Sequence, residues 1–191
     1  MKRICVFSGS KPGINGAYKH AARTLGELIA RRGLELVYGG ATVGLMGDVA
    51  DSALAAGGRV IGVIPEFLVA KEIAHQQLSE LHVVKSMHER KALMAELADG
   101  FIALPGGFGT FEEFCEVLTW SQLKVHDLPC GLLNVEGFYD PLIQLFDRAL
   151  QEQFLRREHR ELVLVHSEPE ALVKMLAQHQ PRMGLEKSGR I

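Results

Sequence analysis

One stretch limits the possible folds more than any other: Phe101-Ile-Ala-Leu-Pro-Gly-Gly-Phe-Gly-Thr-Phe-Glu-Glu-Phe114. Phe101 to Leu104 reads as a short buried strand, Pro105 to Gly109 as a glycine turn, and Thr110 as the N-cap of a helix. Glycines carry no Cβ, so the backbone can bend sharply there and come close to a ligand. A helix starting at that point leaves its first N–H groups without partners. Together with the positive end of the helix dipole, these groups suit a phosphate. Glu112 and Glu113 follow at once, placing a carboxylate pair beside the anion cradle. A plainer reading fits the same residues. Thr110-Phe-Glu-Glu113 is also a capping box, with Glu113 folded back onto the Thr110 N–H, and glycine turns join strands to helices without any ligand.

The remaining chain repeats the strand–helix pattern. Short apolar runs are expected as strands at Arg3 to Phe7, Leu34 to Tyr38, Val60 to Ile64, Leu81 to Val84, Cys130 to Leu133 and Leu162 to Val165. Helical periodicity falls between them: from the Asn15 cap to about Arg32, Val43 to Ala56, Ser86 or Met87 to Ala98, Thr110 to about Lys124, and Pro141 to about Gln151. A further capping box, Ser167-Glu-Pro-Glu170, opens a helix to about Gln178. Glu66 to Glu80 is the least regular part, a loop with a short helical piece. Strands apolar on both faces and alternating with helices mean a parallel sheet covered on both sides. The expected fold class is α/β: a single Rossmann-like doubly wound domain over 1–180, with about seven strands. The last residues, 181–191, lack periodicity and are expected to form a mobile tail.

In such a sheet the loops after the strands share one edge, where ligands bind. Three glycine turns, Ser8-Gly-Ser10, Gly39-Gly40 to Gly47 and Pro105 to Thr110, should therefore converge. Ser86-Met-His-Glu-Arg-Lys91 should join them, bringing the cations Arg90 and Lys91 to Glu112 and Glu113. A guanidinium pairs well with phosphate or carboxylate. Taken alone, Arg90 and Lys91 read sooner as a solvated helix face, and their place at the start of a post-strand helix brings the two readings level. His88 reads as an orienting or packing residue, and Trp120, Phe111 and Phe114 as core or subunit contacts.

Several classes are set aside on composition and spacing. The 191 residues carry a formal net charge of -2, which gives no general pull toward nucleic acid or an anionic membrane. The apolar run at the N-terminus stops at Phe7, too short for a signal segment, and no stretch is long enough to span a bilayer. Cys5, Cys115 and Cys130 read as reduced thiols of a cytoplasmic protein. His75, His126 and His166 lack metal-ligand spacing, so no metal is expected. Neither Gly-x-Gly-x-x-Gly in register nor a P-loop is present, which disfavours a nicotinamide dehydrogenase.

The motifs resemble those of the LONELY GUY (LOG) family. Pro105-Gly-Gly-Phe-Gly-Thr-Phe-Glu-Glu113 is similar to its Pro-Gly-Gly-x-Gly-Thr-x-x-Glu signature, and Ser86-Met-His-Glu-Arg-Lys91 to its second motif. The likeness extends from Phe7-Ser-Gly-Ser10 through Tyr38-Gly-Gly40, Gly44-Leu-Met-Gly47, Thr119-Trp120 and Pro129 to Asn134-Val-Glu-Gly-Phe-Tyr139. It implies a cytokinin riboside 5'-monophosphate phosphoribohydrolase, which releases free base and ribose 5-phosphate from a nucleoside 5'-monophosphate, with AMP as a further possible substrate. It implies Arg90 and Glu113 as the catalytic pair. Lys91, Gly107, Phe108, Gly109, Thr110, Glu112 and Thr119 would bind the nucleotide. The same motifs offer Ser10, Gly40, Gly44, Met46, Met87, Gly106 and Phe111 as further substrate contacts. Glu72 aligns by its spacing from Arg90, although here it stands in Glu72-Ile-Ala-His75 where plant members carry Glu-Ile-Thr-Gly. Members are typically homodimers and need no cofactor. The family has also borne the label lysine decarboxylase, but no residue here supports a pyridoxal phosphate role.

Cleavage of the glycosidic bond leaves positive charge on the ribose, and a fixed carboxylate can stabilise that charge or activate the attacking water. Beside a helix N-terminus and an arginine, Glu113 is expected to stay ionised. The alternative is a binding module, since relatives of this fold carry molybdenum cofactor without turnover.

Overall fold

The structure, a computed structural model, describes residues 1–69 and 74–180. Glu72 and the expected tail at 181–191 lie outside them. Seven strands form one parallel sheet: β1 (Arg3–Phe7), β2 (Glu35–Tyr38), β3 (Val60–Pro65), β4 (Glu80–Val84), β5 (Phe101–Ala103), β6 (Cys130–Leu133) and β7 (Val163–His166), in the order β4-β3-β2-β1-β5-β6-β7. Among the described residues eight α-helices accompany them: α1 (Gly16–Arg31), α2 (Gly44–Ala55), α3 (Glu66–Val69), α4 (Met87–Leu97), α5 (Phe108–Gln122), α6 (Asp140–Gln151), α7 (Arg157–Arg160) and α8 (Pro169–Ala177). The Rossmann-like α/β fold expected from the pattern is the one observed.

The chain builds outward from β1 to the β4 edge, then returns to lay β5 on the free side of β1, with Cys5 opposite Phe101 and Phe7 opposite Ala103. The strand order therefore reverses between β1 and β5, and their following loops part at that point. This is where an open parallel sheet makes a crevice. Because β4 and β5 lie far apart in the sheet, α4 must cross it, and it packs on β3, β2 and β1. The crossing carries the Ser86–Lys91 segment from the edge strand back toward the centre. Apolar side chains fill both faces. Ile4, Leu36, Tyr38 and Leu104 face α1, α2 and α8, while Cys5, Val37, Phe101 and Ala103 face α4 and α5.

Local chemistry explains most boundaries. Asn15 accepts from the Ala17 N–H and caps α1, a contact worth about 1 kcal/mol. Ser86 does the same for α4 through the Glu89 N–H, while Glu89 reaches back to the Lys85 N–H. The expected box at Ser167 does not form. The α8 cap is Glu168, with no side-chain bond, and Pro169 occupies the first turn, where its missing N–H costs nothing. β4 also departs from expectation. As the edge strand it alternates half-buried and exposed, with Leu81 and Val83 outward. α7 is a single turn too short to leave a periodic signal. No helix among the described residues is long and apolar enough to cross a membrane.

Candidate active site

The glycine turns converge at the reversal point. The Gly9 N–H donates to the Pro105 carbonyl at 3.1 Å, and the Leu45 N–H donates to the Gly9 carbonyl at 3.0 Å. Gly44, with φ +59°, lies against the Ser10–Lys11 backbone so closely that a Cβ would overlap it. At Gly106 a Cβ would meet the Thr110 side chain and stand 2.9 Å from the Gly9 nitrogen. These are the positions where absence of a side chain lets three loops meet.

Helix α5 begins earlier than its sequence suggests. The cap is Gly107, which has no side chain to bond the helix, and Thr110 is already the third helical residue and buried. Thr110 is therefore neither the N-cap nor part of a capping box. Its place inside the turn under Gly106 fixes the loop sterically. Gly107, Phe108 and Gly109 are exposed, and the first amides of α5 are left without side-chain caps, aimed where an anion can be held. A cleft of about 380 Å³ opens here, lined among others by Gly9, Ser10, Lys11, Tyr18, Leu45, Gly106, Gly107 and Phe138. That size suits a small organic ligand.

Arg90 and Glu113 meet each other. Nη2 of Arg90 lies 3.5 Å from Oε1 of Glu113, and both side chains are about nine-tenths buried. Nη1 of the guanidinium points to Met87 Sδ at 3.7 Å, and Gly39, with Met46 Sδ also beside it, leaves the space that the guanidinium occupies. Nε of Arg90 is buried and, among the described residues, has no hydrogen-bond partner. A buried guanidinium held by one loose carboxylate contact is under-satisfied, a state that costs stability unless a ligand completes it. Leu45 in the cleft wall and Met46 beside Gly39 are consecutive, so the first turn of α2 connects the cleft to this pair.

Burial dominates the electrostatics of Glu113. Burial raises its carboxyl above the ordinary 4.5, and the Arg90 guanidinium only partly offsets this, while Glu112 adds to it. Proximity to a helix N-terminus and an arginine would have lowered it, and desolvation outweighs both. A carboxylate made more basic in this way is a better proton acceptor than an ordinary glutamate. The buried Cys5 thiol is likewise pushed far up, by burial and then by Glu113, so it is not poised as a nucleophile.

Lys91 reaches α5. Its Nζ bonds Oε1 of Glu112 and, at 3.0 Å, Oε1 of Glu116. Burial alone would lower its pKa, but the two carboxylates more than reverse this and hold it as an ammonium. A Schiff-base lysine must lose that proton, so Lys91 does not fit a pyridoxal phosphate role. Glu116 escaped the sequence reading. Its signal was present, because residues 112 and 116 are one helical turn apart on one face.

Other candidates fall as follows. Gly40 (φ +75°) accepts the His75 N–H at 2.9 Å at the foot of this region. Phe111 packs on Phe138 and Tyr139 in the first turn of α5. Thr119 is not with them. Its hydroxyl donates to the Cys115 carbonyl, and it lines a separate groove of about 130 Å³ with Leu118, Phe146, Leu155 and Leu162.

Comparison with known proteins accords with this arrangement. A family model described as "Possible lysine decarboxylase" matches residues 46–176. A probable cytokinin riboside 5'-monophosphate phosphoribohydrolase of Oryza sativa subsp. japonica is 48% identical over 177 residues, covering 93% of this chain and 79% of the relative. A cytokinin riboside 5'-monophosphate phosphoribohydrolase of Arabidopsis thaliana is 47% identical over 181 residues, 95% of this chain and 85% of the relative. Among solved structures, the molybdenum cofactor carrier protein of Chlamydomonas reinhardtii superposes with a TM-score of 0.68 at 24% identity, over 93% of this chain and 99% of that one, a likeness of fold alone. With identity at this level across nearly its whole length, the chain belongs to the LOG family.

Proposed function

We propose that this chain is a hydrolase that cleaves the N-glycosidic bond of nucleoside 5'-monophosphates, cytokinin riboside monophosphates first among them and AMP as a second substrate. The observation that carries the proposal is the buried Arg90–Glu113 pair, whose Arg90 Nε has no partner among the described residues, together with a turn of uncapped amides. The substrate's phosphate is taken up by the amides of Gly107 to Thr110. That remote grip positions the ribose, so binding energy is used to place the anomeric carbon at the acid. As the C1'–N bond breaks, its electron pair leaves with the base and positive charge spreads over C1' and the ring oxygen. Glu113 stabilises that charge and accepts a proton from the water that bonds to C1'. That proton passes to the departing base, and ribose 5-phosphate and free base remain. Arg90 completes its hydrogen bonds on the ribose and holds Glu113 in line. Lys91, fixed by Glu112 and Glu116, ties α4 to α5 and so helps to hold Arg90 beside Glu113.

The relatives' substrates and the position of these side chains support this reading. A carrier role, suggested by the fold of the Chlamydomonas protein, gives no reason for a buried acid–guanidinium pair. We further propose a homodimer. α6 is amphipathic yet none of its residues is fully buried, and Leu123, Leu145 and Phe154 are 65%, 61% and 84% exposed, apolar side chains that a second copy would cover. The test is chromatographic detection of free adenine from AMP and of free base from isopentenyladenine riboside monophosphate. Arg90→Ala and Glu113→Gln should each abolish release, and release unchanged in Glu113→Gln would reject the mechanism.

A further inference from the structure

The segment Asn134–Tyr139 has no part in the chemistry above, yet its geometry is unusually constrained. Val135–Gly137 is a 3-10 turn with Glu136 at φ 52° and Gly137 at φ +70°, a conformation any non-glycine residue resists. A Cβ on Gly137 would come within 2.6 Å of the Asp140 carboxylate. Asn134 fastens the turn from inside, its Oδ1 accepting the Tyr139 N–H and its Nδ2 donating to Asp140, both at 2.7 Å. All of this delivers one side chain. Tyr139 is 1% exposed, and its hydroxyl donates to the Leu104 carbonyl at 2.6 Å.

Leu104 is the last residue before Pro105-Gly106-Gly107. The ring of the same tyrosine meets Phe111 edge-on at 6.3 Å and Phe138 at 5.0 Å, and Phe138 stacks on Phe111. Phe111 belongs to the first turn of α5. Tyr139 thus touches the residue entering the glycine turn and the helical turn leaving it. The glycines between carry no side chains of their own with which to fix their shape.

We infer that Tyr139 is a positioning residue that sets the 105–110 turn in its anion-binding shape by holding Leu104 on one side and Phe111 on the other. The inference rests on the proposed binding of the substrate's phosphate by that turn. Tyr139 touches neither the phosphate nor the ribose. Its hydroxyl satisfies a buried carbonyl and fixes the direction in which the next peptides leave β5. A donor anchored this way restrains amides that a flexible glycine loop would otherwise spread over many orientations.

Tyr139→Phe removes the hydroxyl and keeps the ring. The readouts are calorimetric affinity for ribose 5-phosphate and for free adenine, kcat and KM for AMP against adenosine, and the unfolding midpoint. Ribose 5-phosphate should bind about 10-fold more weakly, the usual scale for one buried hydrogen bond. Adenine affinity should be unchanged, and kcat/KM should fall for AMP but not for adenosine. Unchanged ribose 5-phosphate affinity would overturn the inference, as would equal losses for ribose 5-phosphate and adenine, which mark a general structural effect. Should Tyr139→Phe fail to fold, Asn134→Ala, which frees the Tyr139 backbone at the surface side, should give the same phosphate-selective loss to a smaller degree. No selective loss there also overturns it. Failure of the unaltered protein to bind ribose 5-phosphate at all would instead remove the functional reading beneath it.

Discussion

Gly39→Ala should disable the enzyme without unfolding it. An ideal Cβ at position 39 falls on the Arg90 guanidinium, 3.1 Å from Cζ and nearer still to Nη2, with Met46 Sδ at 3.2 Å. Gly39 is not among the positive-φ glycines, so alanine meets no backbone strain there, and the perturbation is purely steric. Carbon atoms rest at about 3.5–4.0 Å, so Cζ must withdraw by somewhat under 1 Å and Nη2 by more. Met87 and Glu113 hold the group on other sides, so a displaced guanidinium gives up its alignment with one or both of them. A misplacement of about 1 Å in a reacting constellation costs on the order of 100-fold, or about 2.7 kcal/mol of transition-state stabilisation. The assay is kcat/KM for base release from AMP, alongside the thermal midpoint. A loss of about 100-fold with a nearly unchanged midpoint is expected. Activity within threefold of the unaltered enzyme would refute the reasoning, as would a Gly39→Ala structure with the guanidinium unmoved.

Three further outcomes follow from the electrostatics. Because burial raises the Glu113 pKa, the acid limb of kcat/KM should lie above the ordinary 4.5, and a limb at or below that value would contradict the assignment. The folded state holds this proton more tightly than the unfolded chain does, so the stability it contributes is present at low pH and lost as pH rises through the folded-state value. Glu113→Gln should therefore melt above the unaltered protein at pH 8, with the gap closing toward pH 4. A gap that widens in acid would show that the Arg90 contact outweighs burial. Lys91→Met leaves Glu112 and Glu116 facing each other without an ammonium, and since Glu112 is half exposed the loss should be modest, about 1–2 kcal/mol in urea unfolding at neutral pH. No loss would mean that the carboxylates are fully served by water.

The sequence made some of this legible and hid the rest for identifiable reasons. β6 was readable to the residue, Cys130–Leu133, because a continuous apolar run bounded by Pro129 and Asn134 has one sensible assignment. The meeting of Gly9, Gly44 and Gly106 followed from parallel topology, which puts every post-strand loop on one edge. The start of α5 did not. Thr110 is a good cap by type, but Gly107 takes the role with no side chain to announce it. Nor could the environment of Glu113 be read. Its environment depends on α4 crossing from the sheet edge to β1, where Arg90 and Lys91 reach the carboxylates of α5, and that long-range packing leaves no mark in the local pattern. Gly39 shows the same limit, since the space it leaves is filled by a residue 51 positions further on.

A crystal structure of Glu113→Gln with bound AMP bears most directly on the central claim. The 5'-phosphate should lie within about 2.7–3.1 Å of the main-chain nitrogens of residues 107–110, with the anomeric carbon facing the residue at position 113 and the Arg90 guanidinium. A nucleotide held elsewhere, or a phosphate turned away from that helix end, would contradict the account.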